Sequence, residues 1–188
     1  REIDFSRGAA ITSSFFPDEN THVEPVRYGK GSNFMGLLQT IMTDGFTGKE
    51  RRKHWLKQVI AYAHDCGASA LVHGSPKQRS PENGQSVQAC LERVQEALEV
   101  LEPFARQANV AYCIEPLSPF ETPVVNTVEQ ASQMVDAIQS PFIRTMLDAS
   151  ASTYSESLPM AEVFEKYFLS GHIAHVQVND HNRKGPGQ

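Results

Sequence analysis

AYCIEPLSPFETPVVNT, residues 111–127, begins as an apolar run and ends that run on a carboxylate, Glu115, with Pro116 directly behind it. Glu121 and Pro123 come next, and Asn126 and Thr127 open a helix. A carboxylate at the tip of an apolar strand is costly unless it is paired, hydrogen-bonded or bound to a metal. The pattern returns twice downstream. IRTMLD ends on Asp148, and IAHVQVND carries His175, Gln177 and Asn179 on one face. These tips lie roughly 30 residues apart, the length of one βα unit in a barrel of eight units and about 250 residues. Polar residues that recur at strand ends once per unit mark a site.

Working outward from that stretch, strands and helices alternate. Residues 9–16 (AAITSSFF) and 35–42 (MGLLQTIM) read as strands, and the prolines and glycines of 17–33 make a loop between them. A helix runs from Thr47 or Gly48 to about Cys66, with Trp55, Val59, Ile60 and Ala63 as one apolar stripe and Gly67 closing it. A strand over 68–75 precedes a long helix over 85–107. Its buried stripe is Val87, Cys90, Leu91, Val94, Leu98, Leu101 and Ala105, and Pro103 predicts a kink or an early end. A strand over 110–115, a helix over 127–139 capped by Thr127 and Gln130, a strand over 142–148, a short helix over 160–169 and a strand over 173–179 complete the order. No linker interrupts it, so residues 1–188 are read as a single domain.

The chain has 188 residues, a net charge of −5, 40% hydrophobic and 21% charged residues. No cluster of Lys and Arg marks a nucleic-acid or membrane partner, no apolar run is long enough to span a membrane, and no signal-peptide pattern opens the chain. Cys66, Cys90 and Cys113 are irregularly spaced and read as small buried thiols of a cytoplasmic protein.

Alternating strands and helices mean a parallel sheet with right-handed crossovers. A closed barrel brings consecutive strand ends to one mouth, whereas an open sheet serves its crevice with fewer strands. Three consecutive polar strand ends therefore favour an α/β fold of the (β/α)8 TIM-barrel type. The last strand agrees: Ala174, Val176 and Val178 alternate with His175, Gln177 and Asn179.

HGSPKQR (73–79), CIEP (113–116) with NT (126–127), MLD (146–148) and HVQVND with the following N, R and GPGQ (175–188) together resemble the xylose isomerase-like TIM barrels. Within them the chain is most similar to sugar phosphate isomerases and epimerases of the D-tagatose 3-epimerase and hydroxypyruvate isomerase groups. The resemblance implies one divalent cation, Mn²⁺ or Mg²⁺, held by Glu115, Asp148 and Gln177. Gln177 stands where a His is usual, and its amide oxygen favours these hard ions over zinc. The fourth ligand in the family is a glutamate on the eighth strand. Arg183 and Glu121 match residues that contact the substrate, and His73 and His175 are further candidates to touch it or support the ligands. Lys77 and Arg79 are candidates to meet a phosphate, or are surface charges.

The chemistry implied is isomerisation or epimerisation of a sugar or sugar phosphate, by proton transfer next to a carbonyl. The metal polarises the carbonyl and stabilises an enediolate, and Glu115 exchanges the proton with the second glutamate across the bound carbons. A small carbohydrate is the expected partner, and a homo-oligomer is compatible. Ala151 replaces a substrate-binding His of epimerase relatives, which suggests a shorter or phosphorylated sugar. Alternatives are an inosose dehydratase-like lyase and a non-catalytic binding protein or remnant. An apurinic-site endonuclease would need a histidine where Ala151 stands. Eight βα units need roughly 250 residues. The expectation is therefore a partial barrel lacking at least the last strand, with weak metal binding and no turnover from these 188 residues alone.

Overall fold

The computed structural model describes residues 9–12, 48–82 and 84–187, with side chains described from Lys53 onward. The elements in order are β1 (Ala9–Thr12), α1 (Gly48–Asp65), β2 (Ala68–His73), α2 (Val87–Ala108), β3 (Ala111–Ile114), α3 (Val128–Ile138), β4 (Ile143–Asp148), α4 (Ala149–Ser152), α5 (Met160–Leu169) and β5 (Ile173–Gln177). All five strands are parallel and pair in the order β1-β2-β3-β4-β5. This is part of a TIM barrel, with the helices packed on one side of the curved sheet. The strand expected over 35–42 lies outside the described residues; the neighbour of β2 is Ala9–Thr12.

The two faces of the sheet are chemically unlike. Leu71, Tyr112, Ile114 and Ile143 point outward and pack against Trp55, Val59 and Ile60 of α1 and Leu98, Leu101 and Ala105 of α2. Each leucine buried this way contributes about 2 kcal/mol. Val128, Leu147, Val163, Tyr167 and Ile173 make a second outer cluster under α3 and α5. The inner face is lined by smaller groups, Ala70, Val72, Cys113 and Met146.

Local chemistry explains the helix ends. Ser86 caps α2 by accepting from Ala89 N–H, and Thr127 caps α3 by accepting from Gln130 N–H at 3.1 Å. The Gln130 side chain reaches back to the N–H of Asn126 at 2.8 Å, one residue earlier than a capping box requires. Gly67 ends α1 at φ 73°, in the left-handed region.

Three expectations need correction. α2 does not stop at Pro103 but continues to Ala108. Pro103 lies on the exposed side of the helix. Val87, placed in the buried stripe, is 38% exposed, because the first residue of α2 projects beyond the sheet. Cys66 is exposed at the end of α1, while Cys90 and Cys113 are buried, and all three are free thiols. Among the described residues no helix is long and apolar enough to cross a membrane.

Candidate functional site

Glu115 follows β3 directly and Asp148 ends β4, and both are buried, at 6% and 5% exposure. Strand parity decides where they point. Val72 pairs with Cys113, both on the inner face, so Glu115 comes level with Gly74 on that face. The backbone confirms the register, since Glu115 N–H donates to the carbonyl of His73 at 3.2 Å. The carboxylate lies over Gly74, where a β-carbon would collide with Oε2 and stand 2.9 Å from Cδ. Glycine here makes room for the acid.

Asp148 is the register partner of Gln177 across β4 and β5, and Met146 is the partner of His175. Gln177 and His175 therefore extend the inner face, with His175 one step below the strand ends. Asp148 is held from two sides. Its Oδ1 accepts from Ala151 N–H at 2.9 Å, capping α4, and its Oδ2 accepts from Asn179 Nδ2 at 3.4 Å. Asn179 is fixed in turn, as its Oδ1 accepts from Ser150 N–H at 2.8 Å.

Glu121 and Arg183 meet above this pair. Arg183 Nη2 lies 2.8 Å from Glu121 Oε1, and Glu121 Oε2 accepts from Ser118 N–H at 3.2 Å. The loop carrying Glu121 is pinned by Asn126, whose Nδ2 donates to the carbonyls of Leu117 and Thr122 at 2.7 and 2.8 Å. Arg183 has φ 62° in a turn closed by its N–H on the carbonyl of Asp180. A left-handed non-glycine residue is strained, and such strain gathers at functional sites.

The electrostatics follow from the packing. Burial pushes the Glu115 carboxyl up to about 7, and the charge of Asp148 adds to the rise. Arg79 pulls against it, Glu121 reinforces it, and Arg183 opposes it. Burial also lowers the pKa of His175. Two buried acids that repel each other beside an amide oxygen suit a hard divalent cation with oxygen ligands. Among the described residues no three His, Cys, Asp or Glu side chains gather closely enough to hold a metal by themselves.

His73 is not brought to this cluster. It is the register partner of Ile114 on the outer face, where its Nδ1 meets the Tyr112 hydroxyl at 2.7 Å and its Nε2 meets Gln78 Oε1 at 3.1 Å. Burial, helped by the Arg79 charge and opposed by the Gln78 bond, lowers its pKa to about 4. It is a neutral ring inside the helix-facing layer. Lys77 is exposed, while Arg79 in the same loop is buried at 3% exposure. Gly74 was missed as a site residue, the glycine immediately after the apolar strand being the available signal; Asn179, read only as part of the polar face of the last strand, is the side chain that donates to Asp148.

The sequence model described as a xylose isomerase-like TIM barrel matches residues 35–188. A probable ketose 3-epimerase of Synechocystis sp. is 24% identical over 135 residues, covering 71% of this chain and 46% of that protein. A cholesterol oxidase of Mycobacterium tuberculosis is 68% identical over 44 residues, which is 23% of this chain and 8% of the oxidase. Among solved structures, a D-psicose 3-epimerase crystallised in the presence of D-fructose superposes with a TM-score of 0.64 at 17% identity, covering 79% of this chain and 51% of the epimerase. The chain spans about half the length of the epimerases it resembles. With a family match over most of its length and the parallel βα order that goes with it, the chain belongs to the xylose isomerase-like TIM barrel family.

Proposed function

We propose that this chain carries the metal and substrate residues of a sugar isomerase or epimerase that moves a proton next to a carbonyl. The observation that carries the reading is the pair of buried acids, Glu115 and Asp148, on the inner face at the ends of neighbouring strands, with Gln177 in register beside Asp148. A divalent cation, Mn²⁺ or Mg²⁺, held by Glu115, Asp148 and Gln177 would polarise the carbonyl and acidify the adjacent C–H. Glu115 takes the proton from the carbon next to the carbonyl; a carboxylate that shares a cation would have its pKa held low, so it works through its position and the acidified C–H. Asp148 is kept in place by Ala151 N–H and Asn179, so a substrate meets a fixed charge. Glu121 and Arg183, paired across the mouth, exchange part of their mutual bond for substrate hydroxyls.

The related ketose 3-epimerase and D-psicose 3-epimerase support a ketose as the substrate class. The test uses Mn²⁺ titration and a one-base reaction. With Mn²⁺ and a ketose in D₂O, deuterium should enter the carbon next to the carbonyl, and Glu115→Gln should abolish the exchange. Exchange that persists in Glu115→Gln, or Mn²⁺ affinity that ignores Asp148→Asn, would sink the reading.

A further inference from the structure

Val125 is a buried, β-branched residue whose backbone lies in the left-handed region, at φ 59°. A β-branched side chain there is an outlier, and such strain persists only where the surroundings over-determine it. Asn109 and Gln139 have a similar φ, but they end helices, where a left-handed residue is ordinary. Val125 ends no helix. It stands in the loop between Glu121 and Thr127, the cap of α3.

The constraint comes from both sides of the residue. Its carbonyl accepts from Leu117 N–H at 2.9 Å, which ties the returning leg of the loop to the leg that leaves Glu115. Asn126 follows at once and is fixed by its bonds to Leu117, Thr122 and Gln130. Neighbouring residues of an extended chain point to opposite sides. Val124 and Val125 nevertheless pack into one cluster with Ile114, Ala131 and Val135. The left-handed step at Val125 departs from the alternation, and burial of its side chain keeps the step in place.

The segment closed off in this way carries Glu121. Glu121 N–H and Thr122 N–H both donate to the Ser118 carbonyl, and Ser118 N–H donates back to Glu121 Oε2 at 3.2 Å. Thr122 Oγ1 accepts from Ser80 Oγ and from Val124 N–H, so the loop also rests on the one after β2. Glu121 Oε1 is left for Arg183 Nη2, at 2.8 Å. A loop free to swing would have to order Glu121 at each binding event, which lowers affinity.

We infer that Val125 is a positioning residue, whose strained backbone locks the loop so that Glu121 stands opposite Arg183 before a substrate arrives. Its effect on a substrate rests on the ketose reading of the site; the locking itself does not.

The experiment compares Val125→Ala with Val124→Ala in the 188-residue chain. Both trim a buried valine to the same methyl group, so both should lower Tm by similar amounts. The backbone separates them. Alanine at 125 meets the steric cost of φ 59° without the burial that holds valine there. Amide hydrogen exchange at Ser118, followed by NMR, should quicken about tenfold in Val125→Ala and stay within about twofold of wild type in Val124→Ala. Glu115 N–H, bonded to the His73 carbonyl, should keep its protection in both. With Mn²⁺ present, D-fructose affinity should fall about tenfold in Val125→Ala, while Mn²⁺ affinity changes less than about twofold. In a Glu121→Gln background the same substitution should cost no further D-fructose affinity. Equal Ser118 exchange in the two alanine variants would overturn the inference, since loss of burial alone would then explain both. A wild type whose Leu117 amide exchanges as fast as an exposed loop amide would overturn it without any variant. A wild type that binds Mn²⁺ but no D-fructose would refute the ketose reading, and Ser118 exchange would still decide whether Val125 locks the loop.

Discussion

The inner and outer faces of one sheet treat polar groups in opposite ways. On the outer face Tyr112 is buried and His73 and Gln78 are half-buried, and the three are joined through the His73 ring. On the inner face Glu115 is a buried acid whose ionisation is made harder by burial and by the charge of Asp148. Both faces bury polar atoms, but the inner pair sets a buried acid beside a second acid. The outer trio stabilises the fold, whereas the inner pair is the site we propose for a cation. The contrast predicts that inner-face changes move ligand binding, and outer-face changes move stability.

The largest effect is expected at Asp148. Asp148→Asn keeps an oxygen for Ala151 N–H and removes the charge. Mn²⁺ affinity should fall about 1000-fold, or ~4 kcal/mol, in a calorimetric titration, with little change in Tm. Tyr112→Phe, its outer-face counterpart, should leave Mn²⁺ affinity intact and lower stability by about 1–3 kcal/mol, since the His73 ring loses a buried partner. If the two variants exchange these phenotypes, the division between the faces is wrong.

Next comes pH. The folded pKa of His73 is near 4, below its ordinary value of 6.5. The unfolded chain therefore takes up a proton first as pH falls. The stability tied to the neutral ring is fully present above pH 6.5 and is lost progressively down to pH 4. That window is worth roughly 3 kcal/mol. Urea unfolding of the wild type should steepen with acid across it, and His73→Leu should flatten the dependence. An unchanged slope in His73→Leu would place the acid sensitivity elsewhere.

The misplacement of His73 shows what the sequence could and could not reveal. Helices were legible because their apolar stripes repeat over several turns, as with Val94, Leu98 and Leu101 in α2. Glu115, Asp148 and Gln177 were legible because a polar residue ending an apolar strand demands a reason. His73 also follows an apolar strand, in HGSP, but it stands one residue short of the position facing the mouth. That position belongs to Gly74. Register between strands is set by three-dimensional packing, and a shift of one residue reverses the face. α4 left no signal, since four residues cannot establish a period; it forms because Asp148 caps it. Arg79 and Lys77 look alike in sequence, and only the folding of their loop buries one and exposes the other.

Gly74 gives the third way to sharpen the contrast. In Gly74→Ala the new methyl must displace the Glu115 carboxylate, because backbone on both sides is tied into β2 and β3. Mn²⁺ affinity should drop about tenfold, ~1.4 kcal/mol, with a stability loss of about 1–3 kcal/mol from overpacking. An alanine accepted with no loss of affinity would mean that Glu115 does not need its present place.

The smallest effect is expected at Arg183. Its guanidinium is more than half exposed, so its 2.8 Å bond to Glu121 contributes at most about 1 kcal/mol to stability. Removing it in Arg183→Ala also relieves the left-handed backbone only slightly, because alanine meets the same strain at φ 62°. Stability should therefore stay within about 0.5 kcal/mol of wild type. Mn²⁺ affinity should hold, as Arg183 acts on Glu115 only through its charge, the weakest of the influences on that carboxyl. Ketose affinity should fall about fivefold, ~1 kcal/mol, when measured with Mn²⁺ present. Arg183→Lys should restore little of it, because a single ammonium cannot bridge Glu121 and a hydroxyl as a planar fork does. If Arg183→Ala instead loses Mn²⁺, the arginine belongs to the structure of the metal site rather than to the mouth above it, and the line between the two has to be redrawn.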